Sequence, residues 1–319
     1  MPRILLGNRG DWREVLGRPP PPPCAEEPPP QKPKHFWKRR RPPPPVAMAP
    51  RQTAAVQEFE YSEFPLCPDS IKHPDIDFIL PFLVCEYDLL SQCPEARRKC
   101  IYPDSKTANN LDDKGRFNAL MIELGYEDCI PRVGAPRDLE FPIVCKKRID
   151  ECGLHTRVIS HPSELDHLDD PDFYFQEYVP GVEEYVTHVI CLHGVITYLV
   201  SYKYYFGMDV YSKSPELNPR SVEDLGGFIP SELTKIILDL SYTGCACFNY
   251  KLRDGRPAIF ELNPRVGASF MRESAKYLGA YMKAVEDHNG RKSMSSSAKN
   301  AFAPRVANEM SVRAGVRGR

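Results

Sequence analysis

Two stretches near the end of the chain show the alternation of apolar and polar residues that is typical of β-strands. Residues 245–252 alternate along their whole length, and the apolar run 257–260 follows four residues later. The four intervening residues, Arg-Asp-Gly-Arg, contain an Asp-Gly pair that favours a tight turn. The pattern therefore predicts a β-hairpin whose loop has an odd number of residues and is centred on Gly255.

The second strand of this hairpin runs directly into polar and charged residues. Glu261, Asn263 and Arg265 alternate along the chain, so they share one face of a strand, and Pro264 would end its ladder. A loop centred on Gly255 would place Asn249 directly opposite Glu261 on that face. The alternative is a surface hairpin with an incidental ion pair.

The residue types on this face suit a metal ion and a phosphate. Asn249, Glu261 and Asn263 offer oxygen-bearing groups with a single formal charge. Mg²⁺ (or Mn²⁺) takes few protein ligands of this kind and fills its other positions with water and phosphate oxygens. Arg265 carries a permanent, fork-shaped charge that suits a phosphoryl group in transfer.

Polar residues also interrupt apolar patterns farther upstream. The apolar run at 141–145 predicts a strand that ends at Lys146, where an ammonium group is costly unless an anion meets it. A lysine that extends into solvent from the strand end is the alternative. Glu177 and Glu184 flank a Pro-Gly turn, so both can reach one cleft and accept hydrogen bonds from an amine or from sugar hydroxyls. The alternative for the pair Glu183-Glu184 is two solvated surface acids, and this alternative stays open for Glu183.

In order and spacing, these segments resemble the ATP-grasp domains of carbamoyl-phosphate synthetase and D-alanine–D-alanine ligase. The likeness covers residues 112–285 and includes Asp-Lys before a predicted helix at 115–124 and Gln-Glu-Tyr-Val-Pro-Gly at 176–181. It implies an α+β fold in which two α+β lobes hold Mg-ATP between them. The resemblance also assigns roles: Lys114 and Lys146 to the phosphates, Gln176, Glu177, Tyr178 and Val179 to the hinge that meets adenine, Glu184 to the ribose, Asn249, Glu261 and Asn263 to the metal, and Arg265 to catalysis.

The activity implied by this resemblance is an ATP-dependent ligase that activates a small carboxylate as an acylphosphate for attack by an amine or thiol. One segment departs from the family, which usually has a glycine-rich loop after the lysine strand. Residues 148–155 contain one glycine and the acids Asp150 and Glu151, which would repel phosphate. A catalytically inactive ATP-binding adaptor is therefore the alternative, and Lys114 has a second explanation as a helix-start lysine.

Composition divides the chain into four regions. Residues 1–50 carry proline runs and a cluster of basic residues, which predicts a disordered leader that is either a linker or a ligand for an SH3- or WW-type partner. Residues 51–111 predict a partial α/β segment, shorter than the domain that precedes ATP-grasp domains in the family. Residues 112–290 form the predicted ATP-grasp domain, with its hinge near 176–184, and residues 291–319 a predicted disordered basic tail.

The charge of the chain is divided between its ends and its middle. The 319 residues have a net charge of −1, but residues 1–50 and 291–319 together hold 17 of the 42 basic and 5 of the 43 acidic side chains. The residues between them therefore carry a net charge of −13. An acidic domain that binds an anionic nucleotide needs local cations, which agrees with Lys146 and Arg265.

Several classes of protein are disfavoured by composition. No apolar stretch approaches the length of a membrane span, and the basic tail lacks the aromatic interleaving that would support nucleic-acid binding. The eleven cysteines are odd in number, and none of them has C-x₂-C spacing. We therefore expect reduced thiols in a cytoplasmic protein, without disulfides or a zinc site.

Overall fold

The computed structural model describes residues 1–9, 12, 16, 59–62, 65–150, 155–165, 172–209, 211 and 217–301, with side chains described as far as residue 290. The described strands form three sheets of three, three and five strands. Among the described residues, no helix is both long and apolar enough to cross a membrane.

The first sheet is parallel and lies in the N-terminal unit. Its order is β2-β1-β3, with β1 at Arg3–Leu6, β2 at Glu60–Tyr61 and β3 at Phe78–Leu80. The helices α1 (Pro68–Lys72) and α2 (Glu86–Gln92) and a 3₁₀ helix (Pro94–Arg98) complete this unit.

The prediction of a disordered leader from residue 1 is wrong for the first residues. Arg3–Leu6 is the central strand of the first sheet, and both Ile4 and Leu5 have no exposed surface. A run of three apolar residues is too short to show a strand period, but burying them between two neighbouring strands is favourable. The predicted leader residues 17–50 lie outside the described residues.

Two helices connect this unit to the second sheet. Asp104 accepts a hydrogen bond from the backbone of Thr107 and begins α3 (Ser105–Asp112). Asp113 accepts from the backbone of Gly115 and Arg116 and begins α4 (Lys114–Glu123), where the helix after Asp-Lys was predicted. Both aspartates act as N-caps.

The second sheet is antiparallel, with the order β5-β4-β6. It consists of β4 (Ile143–Lys147), β5 (Arg157–Ile159) and β6 (Phe173–Glu177). Short 3₁₀ helices at Glu127–Cys129 and Pro136–Asp138 precede β4, and another at Pro162–Leu165 lies between β5 and β6. Its small core contains Leu139, Ile143, Cys145 and Ile159.

The third sheet is antiparallel, with the order β11-β10-β7-β8-β9. Its strands are β7 (Glu183–Leu192), β8 (Val195–Tyr205), β9 (Ser221–Gly226), β10 (Gly244–Arg253) and β11 (Arg256–Asn263). Buried residues of α5 (Ser231–Asp239) pack with α4 and this sheet. After a 3₁₀ helix (Ala268–Glu273), α6 (Ser274–Ala301) packs with β1, β3 and β7 in a separate cluster.

The predicted disordered tail is also wrong at its start, because α6 continues to Ala301 instead of ending near residue 290. The serine-rich composition of 293–297 indicated coil. A helix that is already formed gains one hydrogen bond for each added residue, however, so it can extend through a segment of modest helix propensity. The predicted tail beyond residue 301 lies outside the described residues.

Candidate functional site

One cavity of about 320 Å³ lies between the second and third sheets, with lining residues from β4, β5 and β6 on one side and from β7, β10 and β11 on the other. Every residue to which the resemblance assigned a role lines it. They are Lys114, Lys146, Gln176, Glu177, Tyr178, Val179, Glu184, Asn249, Glu261, Asn263 and Arg265. The structure thus brings all eleven together, while the roles assigned to them stay predictions.

The segment from residue 178 to residue 182 connects the second sheet to the third. It joins β6 to β7, at the position where the hinge was predicted. Val179 is 3% exposed and Glu184 is 4% exposed, so both are enclosed by the fold. Glu177 forms an ion pair with Arg253 across the end of the β10–β11 hairpin.

The β10–β11 hairpin places Asn249 opposite Glu261, but by a different route from the predicted one. Its turn has two residues, Asp254 and Gly255, both with positive φ, instead of a loop of odd length. That turn alone would pair Asn249 with Phe260. A β-bulge lies between the pair Tyr250–Ile259 and the pair Asn249–Glu261. Its extra residue on β11, Phe260, restores the pairing of Asn249 with Glu261.

The bulge also groups three oxygen-bearing side chains. The Nδ2 atoms of Asn249 and Asn263 each donate to Glu261 Oε1, both at 3.0 Å. Lys114 Nζ lies 3.7 Å from Glu261 Oε2. One carboxylate with two amides is a donor set that fits a hard divalent cation. Within the described part of the chain, no group of three or more His, Cys, Asp or Glu side chains could hold a metal ion.

Lys146 extends from β4 toward this cluster. It is 9% exposed, and its Nζ lies 5.1 Å from the centre of the Phe260 ring. Burial lowers the pKa of Lys146 to about 8, with Glu261 opposing the change and Lys114 adding to it. A buried ammonium with a lowered pKa at a cavity wall favours an anionic ligand.

A second ion pair fixes the helix that carries Lys114. Arg148 donates to both carboxylate oxygens of Asp113, from Nε at 3.2 Å and from Nη2 at 2.8 Å. Burial alone would raise the pKa of Asp113, but the hydrogen bonds and charge of Arg148 hold it below its ordinary value. This contact holds the start of α4, which carries Lys114, against the end of β4, which carries Lys146.

Arg265 follows β11 in a segment held by two close contacts. Its Nη1 donates to the carbonyl oxygen of Val266 at 3.0 Å, and the side chain is largely buried. The hydroxyl of Tyr87 in α2 donates to the carbonyl of Pro264 at 2.5 Å. A Cβ atom on Gly267 would lie 2.6 Å from the sulfur of Cys247, so this position accepts only glycine without rearrangement.

The loop at residues 148–155 is only partly described. Asp150 lines the cavity and accepts hydrogen bonds from the backbone and ring of His155, each at 2.9 Å. The structure therefore shows one of the two acids that were predicted to repel phosphate at the cavity wall. Glu151 and Gly153 lie outside the described residues.

Several lining residues were missed in the sequence. Lys251 lies two residues after Asn249 on β10, and this spacing placed it on the same strand face. Phe260 reaches the cavity because of the bulge, for which the sequence carries no clear signal. Arg9 and Trp12 come from the segment after β1, which was predicted to be disordered.

The three sheets, the segment that joins the second sheet to the third and the cavity between those two sheets are the arrangement of an ATP-grasp fold, and solved structures agree. Phosphoribosylamine–glycine ligase from Thermotoga maritima matches with a TM-score of 0.54 and 14% identity, over 85% of this chain and 70% of that chain. D-Alanine–D-alanine ligase from Bacillus anthracis matches with a TM-score of 0.53 and 16% identity, over 94% of this chain and 100% of that chain.

A third match is the biotin carboxylase domain of 2-oxoglutarate carboxylase from Hydrogenobacter thermophilus. Its TM-score is 0.52 at 13% identity, over 89% of this chain and 69% of that chain. Several other matched enzymes are longer, and the chain spans 55–59% of their length. At such low identity the likeness confirms the predicted fold and leaves the activity to be argued from the site.

Comparison by sequence adds no relative. No protein-family model matches the chain, and the search of curated proteins gives no significant match.

Proposed function

We propose that this protein binds Mg-ATP in the cavity and uses it to join a small carboxylate to an amine or thiol. The observation that carries the proposal is the convergence of eleven residues, distributed from Lys114 to Arg265 in the sequence, on one cavity. The alternative, a surface hairpin with an incidental ion pair, does not explain why the hairpin faces the second sheet and its buried Lys146.

The hinge side of the cavity suits the nucleoside. Gln176 is 1% exposed, and its Nε2 has no hydrogen-bond partner among the residues that the structure describes. A buried amide donor without a partner is costly, and an acceptor such as a purine ring nitrogen would satisfy it. We assign the hinge residues Glu177, Tyr178 and Val179 to the adenine edge and Glu184 to the ribose hydroxyls.

The opposite side suits the phosphates and a metal ion. We assign Lys114 and Lys146 to phosphate oxygens and Asn249, Glu261 and Asn263 to Mg²⁺, which would neutralise phosphate charge when bound. The Hydrogenobacter domain was solved with MgADP and bicarbonate, which supports a magnesium nucleotide in a cavity of this fold.

The proposed reaction has two displacements. A carboxylate oxygen of the substrate attacks the γ-phosphorus, the bond to the β–γ bridging oxygen breaks, and ADP leaves with that electron pair. The amine or thiol then attacks the carbonyl carbon of the acylphosphate, loses its proton to water and expels phosphate. Arg265 stabilises the charge on the transferred group, a contribution of about 10³–10⁵ in rate for arginines in this role.

The test is release of ADP by the purified protein with Mg-ATP and a panel of carboxylates, amines and thiols. We expect one acid–nucleophile pair to give ADP and phosphate in equal amounts. Arg265→Met should lower that turnover by about 10³-fold or more, with little change in the Kd of Mg-ATP. Arg272→Met is the matched control, because Arg272 lies over the rings of Tyr202 and Tyr204 and is not among the residues that line the cavity.

Turnover of Arg265→Met at the wild-type rate would contradict the role of Arg265. Asp150 favours a second candidate function, because this acidic residue lines the cavity. Tight binding of Mg-ATP without ADP release for any pair in the panel would favour a non-catalytic adaptor.

A further inference from the structure

A buried lysine on β10, Lys251, contacts the hinge directly. Lys251 is 2% exposed, and its Nζ donates to the carbonyl oxygens of Val179 at 2.9 Å and Gly181 at 2.8 Å. The same atom lies 5.1 Å from the ring centre of Tyr178 and 4.4 Å from that of Tyr211. One ammonium thus contacts both halves of the connection between the two sheets.

These contacts join three parts of the cavity wall. Lys251 lies on β10, two residues after Asn249 of the oxygen cluster. The hydroxyl of Tyr178 donates to the carbonyl of Asp209 at 2.5 Å and accepts from the backbone of Tyr211 at 3.1 Å. The hinge is therefore hydrogen-bonded to β10 through Lys251 and to the segment after β8 through Tyr178.

The surroundings show that this ammonium is held at a cost. Burial lowers the pKa of Lys251 to about 8, although the charges of Glu184 and Asp209 oppose the change. A lysine at the surface would keep its hydration, so the burial of this ammonium indicates that its position beside the hinge matters. Two carbonyl acceptors and two aromatic rings are the partners that compensate for the lost water.

We propose that Lys251 is a positioning residue that fixes the hinge for the nucleoside, an inference that rests on the proposed nucleotide site. Because the carbonyl groups of Val179 and Gly181 are directed at Lys251, the peptide planes that follow these two residues are held in one orientation. That orientation decides which backbone groups of the hinge face the cavity. Lys251 has no assigned part in the chemistry of the phosphates.

The experiment separates the two halves of the ligand. Isothermal titration calorimetry is carried out with Mg-ATP and with Mg-tripolyphosphate, which has the phosphates and the metal but no nucleoside. Lys251→Met keeps the length of the side chain and removes the ammonium. We expect its Kd for Mg-ATP to rise by roughly tenfold or more, equivalent to 1.4 kcal/mol or more, while its Kd for Mg-tripolyphosphate stays within about twofold of the wild type.

Lys99→Met is the matched control. Lys99 Nζ also donates to two carbonyl oxygens, those of Ile71 at 2.8 Å and His73 at 3.0 Å, but it lies in the N-terminal unit away from the cavity. We expect both dissociation constants to be unchanged in this variant. Lys251→Gln retains an amide donor for one carbonyl, and we expect an intermediate Kd for Mg-ATP.

Each outcome decides the matter. An unchanged Kd for Mg-ATP in Lys251→Met, or an equal loss for both ligands, overturns the positioning role. If neither Lys251 variant folds, as judged by circular dichroism, the residue supports the whole fold and the proposal is likewise overturned. Failure of the wild-type protein to bind Mg-ATP would instead overturn the proposed function itself.

Discussion

Replacing Lys146 by methionine should change how the stability of the protein depends on pH. Burial lowers the pKa of this lysine from 10.5 to about 8, with Glu261 opposing and Lys114 adding to the change. The unfolded chain keeps the ordinary value, so it binds more protons than the folded protein between pH 8 and 10.5. Lys146 therefore destabilises the ligand-free protein below pH 8, and this cost is relieved as the pH rises through that window.

The size of the effect follows from the same values. The full difference in pKa corresponds to roughly 3 kcal/mol at 1.36 kcal/mol per pKa unit. The part that is relieved between pH 7 and pH 9.5 is about 2 kcal/mol. Other groups titrate in this range too, so the informative quantity is the difference between the two proteins at each pH.

The assay is urea unfolding of the wild type and Lys146→Met at pH 7 and pH 9.5, without nucleotide. We expect the free energy of unfolding of the variant, relative to the wild type, to fall by about 2 kcal/mol as the pH rises. A difference that does not change with pH would refute the reasoning, because Lys146 would then not be desolvated in the folded state.

Nucleotide supplies a second readout for the same variant. Stabilisation by Mg-ATP should be largely lost in Lys146→Met, since the ammonium would no longer meet the phosphates. Lys147→Met is the control, because Lys147 lies against the ring of Phe173 and is not among the residues that line the cavity. This control should keep the stabilisation of the wild type.

Three further predictions follow from single contacts. Glu261→Gln should keep the fold but remove the magnesium dependence of ATP binding, as measured by calorimetry with and without EDTA; unchanged dependence would exclude this carboxylate as a ligand. Asp113→Asn should lower the free energy of unfolding in urea by about 1.5–3 kcal/mol at pH 7. Because the pKa of Asp113 is lowered in the folded protein, this loss should be complete above the ordinary pKa of aspartate and should disappear as the pH falls through the folded pKa. Equal stability of the two proteins at pH 7 would contradict the prediction. Gly267→Ala should destabilise the protein by about 1–3 kcal/mol, because the new Cβ would lie 2.6 Å from the sulfur of Cys247. Adding Cys247→Ala should recover part of this loss. Additive losses in the double variant would argue against a clash between the Cβ and the sulfur.

The sequence indicated the residues that line the cavity more completely than it indicated the strands and helices around them. Charged residues at strand ends are easy to recognise in the sequence, because a carboxylate or an ammonium directly after an apolar run, as at Glu261 and Lys146, is costly to bury without a partner. Alternation then predicts which of them share a face. The predicted pairing of Asn249 with Glu261 is present, but the predicted turn is wrong. The turn has two residues instead of an odd number, and the bulge on β11 compensates for the difference.

The features that could not be predicted depend on distant packing. The strand Arg3–Leu6 gains its stability from neighbours at residues 60–61 and 78–80, far away in the sequence. Lys251 looks like an ordinary strand lysine until the hinge carbonyls are placed beside it. Interactions of this kind depend on how separate elements dock, and a local hydrophobic pattern holds no information about docking.

The most direct test of the proposed nucleotide site is chemical unfolding with and without Mg-ATP. At a free concentration 100 times the Kd, binding to the folded state should raise the free energy of unfolding by about 2.7 kcal/mol. An unfolding free energy that stays the same up to millimolar Mg-ATP would contradict the proposal that this cavity holds the nucleotide.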